Sequence, residues 1–222
     1  MELEKEITKA IERPFQDKKK LLIGMLLTMP IPILSFITSP IINGYNLQCM
    51  KNTVRNKYNL PTFENLGTLW IRGFLIKLIL FLYFLPALIM FFLFLLVLAL
   101  RKEVSFMTPF LGLFIIYGIF LIYVWPCIEI QYACTEKFKE AFAWKLILKK
   151  IVSLTYARVW LITSLIIFIM IGILLGMVIA LKGFEENELL LQLSSIILLG
   201  IFGFPMRIMV ITLFARAYRE TK

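Results

Sequence analysis

Long runs without a single charge dominate the chain. Four of them cover 78–100, 104–128, 159–181 and 189–206. A helix rises 1.5 Å per residue, so about 20 residues cross roughly 30 Å of hydrocarbon. Each run therefore predicts a transmembrane helix, and with their flanks the spans fall at about 74–100, 104–133, 155–181 and 189–214. Pro86 lies inside the first, which a membrane helix tolerates because neighbouring groups re-satisfy the broken backbone. Trp70, Tyr132, Trp160 and Tyr218 stand near the ends of the runs, where amphipathic rings favour the headgroup level.

A further apolar stretch, 21–50, is broken by Pro30, Pro32 and Pro40, each of which removes a backbone donor and crowds the preceding turn. It fits one kinked span, two short crossings or a hairpin. Short loops rich in Lys and Arg stay on the cytoplasmic side, and this bias separates the cases. If the stretch enters and leaves on one side, 21 of the 24 basic residues share that side, leaving Arg101, Lys102 and Lys182 opposite. A single crossing inverts the bias. The pattern therefore predicts a proline-broken helical hairpin over 21–48, with Gly44 in its returning arm, then four full spans, with both termini cytoplasmic.

Two polar segments complete the layout. Residues 1–20 are charged throughout, with no apolar stretch or small-residue cleavage site, so they are expected to be a cytoplasmic segment of a chain that starts at Met1 without a signal peptide. Residues 135–153 hold good helix formers and neither Gly nor Pro, and predict a helix lying along the cytoplasmic interface with its lysines reaching toward headgroups. The fold class is thus all-α, a polytopic transmembrane bundle.

Composition agrees. With 60% apolar residues, 17% charged and a mean hydropathy of +0.87, too little polar surface exists to coat a soluble globule of 222 residues. The net charge of +10 would suggest nucleic acid in a soluble protein, but here the basic residues lie in short runs beside apolar segments. Anionic headgroups on the cytoplasmic face of the cell membrane are the expected partner, and nucleic acid is not. Cys49, Cys127 and Cys134 form no CxxC and are expected to be small apolar fillers.

Several ordered elements carry a family likeness: Asn43-Gly44-Tyr45 after the proline-broken segment, Leu60-Pro61-Thr62-Phe63, Trp70 with Gly73, Leu85-Pro86, Phe138-Lys139-Glu140-Ala141-Phe142, and Ala215-Arg216-Ala217-Tyr218. Together they resemble domain-of-unknown-function family 4013, uncharacterised archaeal and bacterial multipass membrane proteins. The resemblance runs from about residue 17 onward and implies the multipass architecture while assigning no activity.

Candidate chemistry is sparse. There is no His, and Asp17 is the only aspartate, so a His-based triad, an HExxH zinc site and an Asp-rich cation site are unavailable. No phosphate-binding glycine loop occurs either. The expectation is no enzyme, no cofactor and no metal. Three ionisable groups border the apolar runs: Lys77, Glu129 and Arg207. Such groups are costly in a membrane and default to functional suspects. Glu129 is expected to pair with Arg207 or Lys77, the alternative being that the cations snorkel and the carboxylate is wetted. Gly172, Gly176 and Ala180 form a small-residue stripe suited to close helix approach, within the chain or in a homodimer. Two functions compete. One is a non-catalytic accessory or structural subunit meeting lipid, a protein partner or another copy through its basic face. The other is a small-solute or lipid transporter or channel using the broken hairpin and the charge cluster.

Overall fold

In the hairpin, the residues that precede Pro30 and Pro32 take extended backbone, and this turns the chain, whereas Pro40 lies inside a helix. The computed structural model describes residues 2–100, 108–184 and 188–221. Helix α1 (Glu2–Glu12) leads through a 3-10 turn at Arg13–Phe15 to α2 (Lys18–Thr28), whose first turn is capped by the Asp17 carboxylate, which accepts from the backbone N–H groups of Lys19 and Lys20. Met29 and Ile31, ahead of Pro30 and Pro32, hold ψ near 128° and 116°, and Pro32 then opens α3 (Pro32–Val54), where a missing N–H costs nothing. At 11 residues α2 is about 16 Å long, too short to cross ~30 Å of hydrocarbon by itself. Its tip lies against Gly200, where an added Cβ would meet the Met29 side chain at 2.6 Å.

The remaining helices are α4 (Leu66–Ala99), α5 (Thr108–Thr135), α6 (Trp144–Ile151), α7 (Leu154–Phe184) and α8 (Glu188–Glu220), and no strand occurs among the described residues. Helices α4, α5, α7 and α8 are long and apolar enough to cross a membrane, and the chain is a membrane-embedded helical protein. Residues 104–107 of the second expected span lie outside the described residues. Packing is lopsided along these helices. The buried core gathers at one end, around Ile76, Ile79, Val124, Ile128, Ile208 and Phe214. The far halves present Phe92, Ile116, Phe168 and Ile179 outward, as lipid-facing surfaces do.

That packed end carries both termini. Arg13 beyond α1 bonds Thr212 of α8, Glu6 pairs with Arg216, and Arg219 reaches Asn56 at 2.7 Å beyond the end of α3. Lys150 of α6 donates to the carbonyls of Tyr218 and Thr221, where a cation complements the negative end of α8.

The family-like motifs meet here. Helices α3 and α4 touch backbone to backbone at Gly44 and Gly73: a Cβ on Gly73 would sit 1.7 Å from the Pro40 carbonyl oxygen, and one on Gly44 would sit 1.9 Å from that of Leu69. One turn along, the Tyr45 ring stacks on Phe63 at 4.1 Å, and its hydroxyl donates to the Pro61 carbonyl.

Two expectations need correction. The segment 135–153 is not one helix. Thr135 still belongs to α5, Glu136 turns left-handed at φ 54°, Phe138–Phe142 forms a 3-10 turn, and only Trp144–Ile151 is α-helical. Tertiary contacts outweigh helix propensity there: the Tyr83 hydroxyl takes the Ala141 carbonyl at 2.8 Å, and Phe142 stacks on the Tyr83 ring. Helix α6 buries Ile147 and Ile151 and exposes Lys145 and Lys149. The second correction concerns the small-residue stripe. No atom lies within 4 Å of a Cβ built on Gly172 or Gly176, and Ala180 is exposed, so among the described residues nothing packs against the stripe.

Candidate functional site

Prolines fall at one level in three helices that all run toward the packed end, and a polar residue follows each within a turn. Pro40 precedes Asn43 in α3, Pro126 precedes Glu129 in α5, and Pro205 precedes Arg207 in α8. A proline inside a helix removes one hydrogen bond and bends the axis, which opens room between neighbours. At this level the structure has a cleft of about 500 Å³. Ser39, Asn43, Lys77, Glu129 and Arg207 form its polar wall, and Leu80, Phe84 and Trp125 its apolar one.

All three charged residues singled out in the sequence thus line one cavity. They do not close an ion pair at contact distance. The Arg207 guanidinium instead donates to the Asn43 side-chain oxygen at 2.6 Å, tying α8 to the returning arm of the hairpin. Lys77 is exposed, while Glu129 and Arg207 are half-buried. The wall therefore offers two cations against one carboxylate, with an amide beside them. Lys77 and Arg207 directly adjoin the charge-free runs 78–100 and 189–206, and Glu129 follows the run ending at 128, so the cleft sits where hydrocarbon gives way to polar surroundings.

A second charge layer lies nearer the packed end. Glu136 beyond α5 pairs with Lys51 of α3 and with Arg72 of α4, the latter at 3.0 Å. Glu136 stands seven residues past Glu129, so this layer is about 10 Å from the cleft along α5. Burial pushes the Glu136 carboxyl up, but the hydrogen bond from Lys51 and the charge of Arg72 outweigh it, and the net shift is downward. A depressed carboxylate stabilises the fold fully above its unfolded value of about 4.3, and that contribution is lost as pH falls through the lower folded value. Since the pair is partly solvated, its worth is under about 1 kcal/mol. Thermal melts of wild type and Glu136→Gln in detergent should differ most near neutral pH and converge as the pH falls below the lowered folded value.

Sequence reasoning found the three charges of the cleft and missed Ser39 and Asn43, because a short amide or hydroxyl in an apolar run carries little signal by itself. The spacing proline, two residues, polar residue was present in α3 and α5 and pointed to them. It also overlooked the alliance of Lys51, Arg72 and Glu136, whose members are far apart in the chain.

No curated protein and no solved structure matches the chain. Residues 25–180 match a family described as a protein of unknown function, DUF4013, a stretch that holds the end of α2, the hairpin's turn and returning arm, α4, α5, α6 and most of α7. With the Gly44–Gly73 crossing and the docked Pro61-Thr62-Phe63 segment inside that stretch, the chain belongs to DUF4013.

Proposed function

We propose that this chain is a non-catalytic accessory protein of the cell membrane that holds anionic lipid headgroups at its cytoplasmic end. The carrying observation is the cleft: Lys77 and Arg207, two cations against the single carboxylate Glu129, share one cavity at the edge of the apolar runs. A phosphate group at this level gains charge-assisted bonds in surroundings drier than water. Lysines such as Lys145 and Lys149 on α6 add attraction to an anionic leaflet, worth about 1 kcal/mol each near its surface. The basic packed end, with both termini, faces the cytoplasm in this proposal.

Native mass spectrometry of the purified chain with phosphatidylglycerol or phosphatidylcholine of identical chains tests it. The anionic lipid should be retained in preference by about tenfold, and Arg207→Gln and Lys77→Gln should each erase most of that preference. Equal retention of both lipids by the wild type sinks the proposal.

Passage of a small solute or lipid through the cleft is the second reading, favoured by the bond between Arg207 and the hairpin's Asn43. It requires flux in reconstituted vesicles that Arg207→Gln abolishes, whereas a holding role gives no flux in either.

A further inference from the structure

The cleft does not end at its charges. A narrower groove of about 140 Å³ lies between α4 and α5, bounded by Tyr83, Gly118, Leu121 and Ile122. It shares Leu80, Phe84 and Trp125 with the cleft, so the two adjoin along these side chains. Direction follows from the helix rise. From Lys77 to Phe84 the groove descends seven residues, about 10 Å, into the charge-free run of α4. From Glu129 back to Gly118 it descends eleven residues of α5, about 16 Å. The polar wall therefore stands at the level where hydrocarbon begins, and the groove leads from it toward the bilayer centre.

Two features mark the groove as space for a chain. Nothing lies within 4 Å of a Cβ built on Gly118, so the glycine leaves a notch in the α5 wall that no described side chain fills. The flanking Ile122, Trp125 and Phe84 remain substantially exposed, which leaves the groove open sideways to lipid. Its deep end is held in register by the Tyr117 hydroxyl, which donates across the helix pair to the Tyr83 carbonyl at 2.8 Å.

We infer that the cleft and this groove are one site for a single anionic glycerophospholipid of the adjoining leaflet, with the headgroup phosphate between Lys77 and Arg207 and one acyl chain laid along the α4–α5 groove past Gly118. The inference rests on the headgroup assignment above and adds the occupant's second half. A detached phosphate would use only the polar wall; an uncharged lipid would use only the groove; and a zwitterionic lipid would bring its own cation against Lys77 and Arg207. The lipid enters sideways between α4 and α5, because both halves of the site open on that face.

Gly118→Leu is the decisive variant, since open space surrounds the position and the added side chain fills the notch without touching the fold. In native mass spectrometry the purified full chain should retain dioleoyl phosphatidylglycerol about tenfold less when Gly118→Leu is introduced, with its melting temperature unchanged. Millimolar glycerol phosphate should not displace the lipid from the wild type. Ile122→Trp narrows the same groove and replaces Gly118→Leu if that variant melts early. Undiminished retention in the groove variants overturns the inference, and the headgroup assignment then stands or falls separately on whether Arg207→Gln loses the preference for phosphatidylglycerol over phosphatidylcholine. Displacement of the retained lipid by glycerol phosphate also overturns it, because the chain would then add nothing.

Discussion

Changing Gly73 to alanine should drive α4 away from α3 and cost about 3 kcal/mol, at the upper end of the usual range for overpacking. An added methyl carbon there would stand 1.7 Å from the Pro40 carbonyl oxygen and 2.7 Å from the Gly44 nitrogen. Both are backbone atoms, so no side chain can rotate away and the helices themselves must separate. Gly44→Ala meets the Leu69 backbone in the same way and should cost a similar amount. Position decides the sign. Alanine is favoured over glycine inside a helix by about 1 kcal/mol, so Gly172→Ala, which faces open space, should be neutral or slightly stabilising. Thermal melting in detergent of the three variants side by side checks the argument. Equal melting temperatures for Gly73→Ala and Gly172→Ala would show that the α3–α4 crossing is looser than described.

The contrast also shows what was legible in the sequence and why. Charge-free runs reveal spans, because the bilayer imposes them residue by residue through local composition. The hairpin was legible for a related reason: Pro30 and Pro32 act on their immediate neighbours, and Met29 and Ile31 adopt the extended backbone such residues require. Helix contacts are another matter. Gly172 and Gly176 have the spacing of a packing motif and pack against nothing among the described residues, while Gly44 and Gly73 share no local motif and bring two helix backbones together. Only the tertiary arrangement pairs residues 29 positions apart.

The cleft was half legible. Lys77, Glu129 and Arg207 stand out because a charge beside an apolar run is costly wherever the fold puts it. Their partners do not, and the anticipated contact pairing gives way to the bond between Arg207 and Asn43. An arginine whose fork already engages an amide keeps its remaining N–H groups for another acceptor, which suits a phosphate.

Arg13 is the largest effect that composition concealed, and replacing it with methionine should cost about 3 kcal/mol and free the N-terminal segment. Among the charges of residues 1–20 it looks like one more solvated cation, yet it is 0% exposed. Its guanidinium donates to Thr53 Oγ1 at 2.6 Å, Thr212 Oγ1 at 2.7 Å and the Tyr58 carbonyl at 2.9 Å, with a longer bond to the Cys49 carbonyl. Each threonine hydroxyl spends its proton on its own helix, at Cys49 and Ile208, and so turns a lone pair toward the arginine. Burial lowers the guanidinium's pKa, but an arginine stays charged at neutral pH, and the C-terminal end of α3 supplies the negative field that no carboxylate provides here. Methionine keeps an unbranched apolar stem and none of the bonds, leaving buried carbonyls without a donor. Lysine keeps the charge but cannot span three acceptors in one plane, so Arg13→Lys should recover less than half of the loss. Trypsin digestion together with melting in detergent reads both effects: the segment through α1 should be cut early in Arg13→Met and stay protected in the wild type. The assignment fails if Arg13→Met melts and resists cleavage like the wild type. If instead the loss persists at full size in a Thr53→Val, Thr212→Val background, the arginine acts through the Tyr58 and Cys49 carbonyls alone, and the link from the N-terminal segment to α8 is not its work.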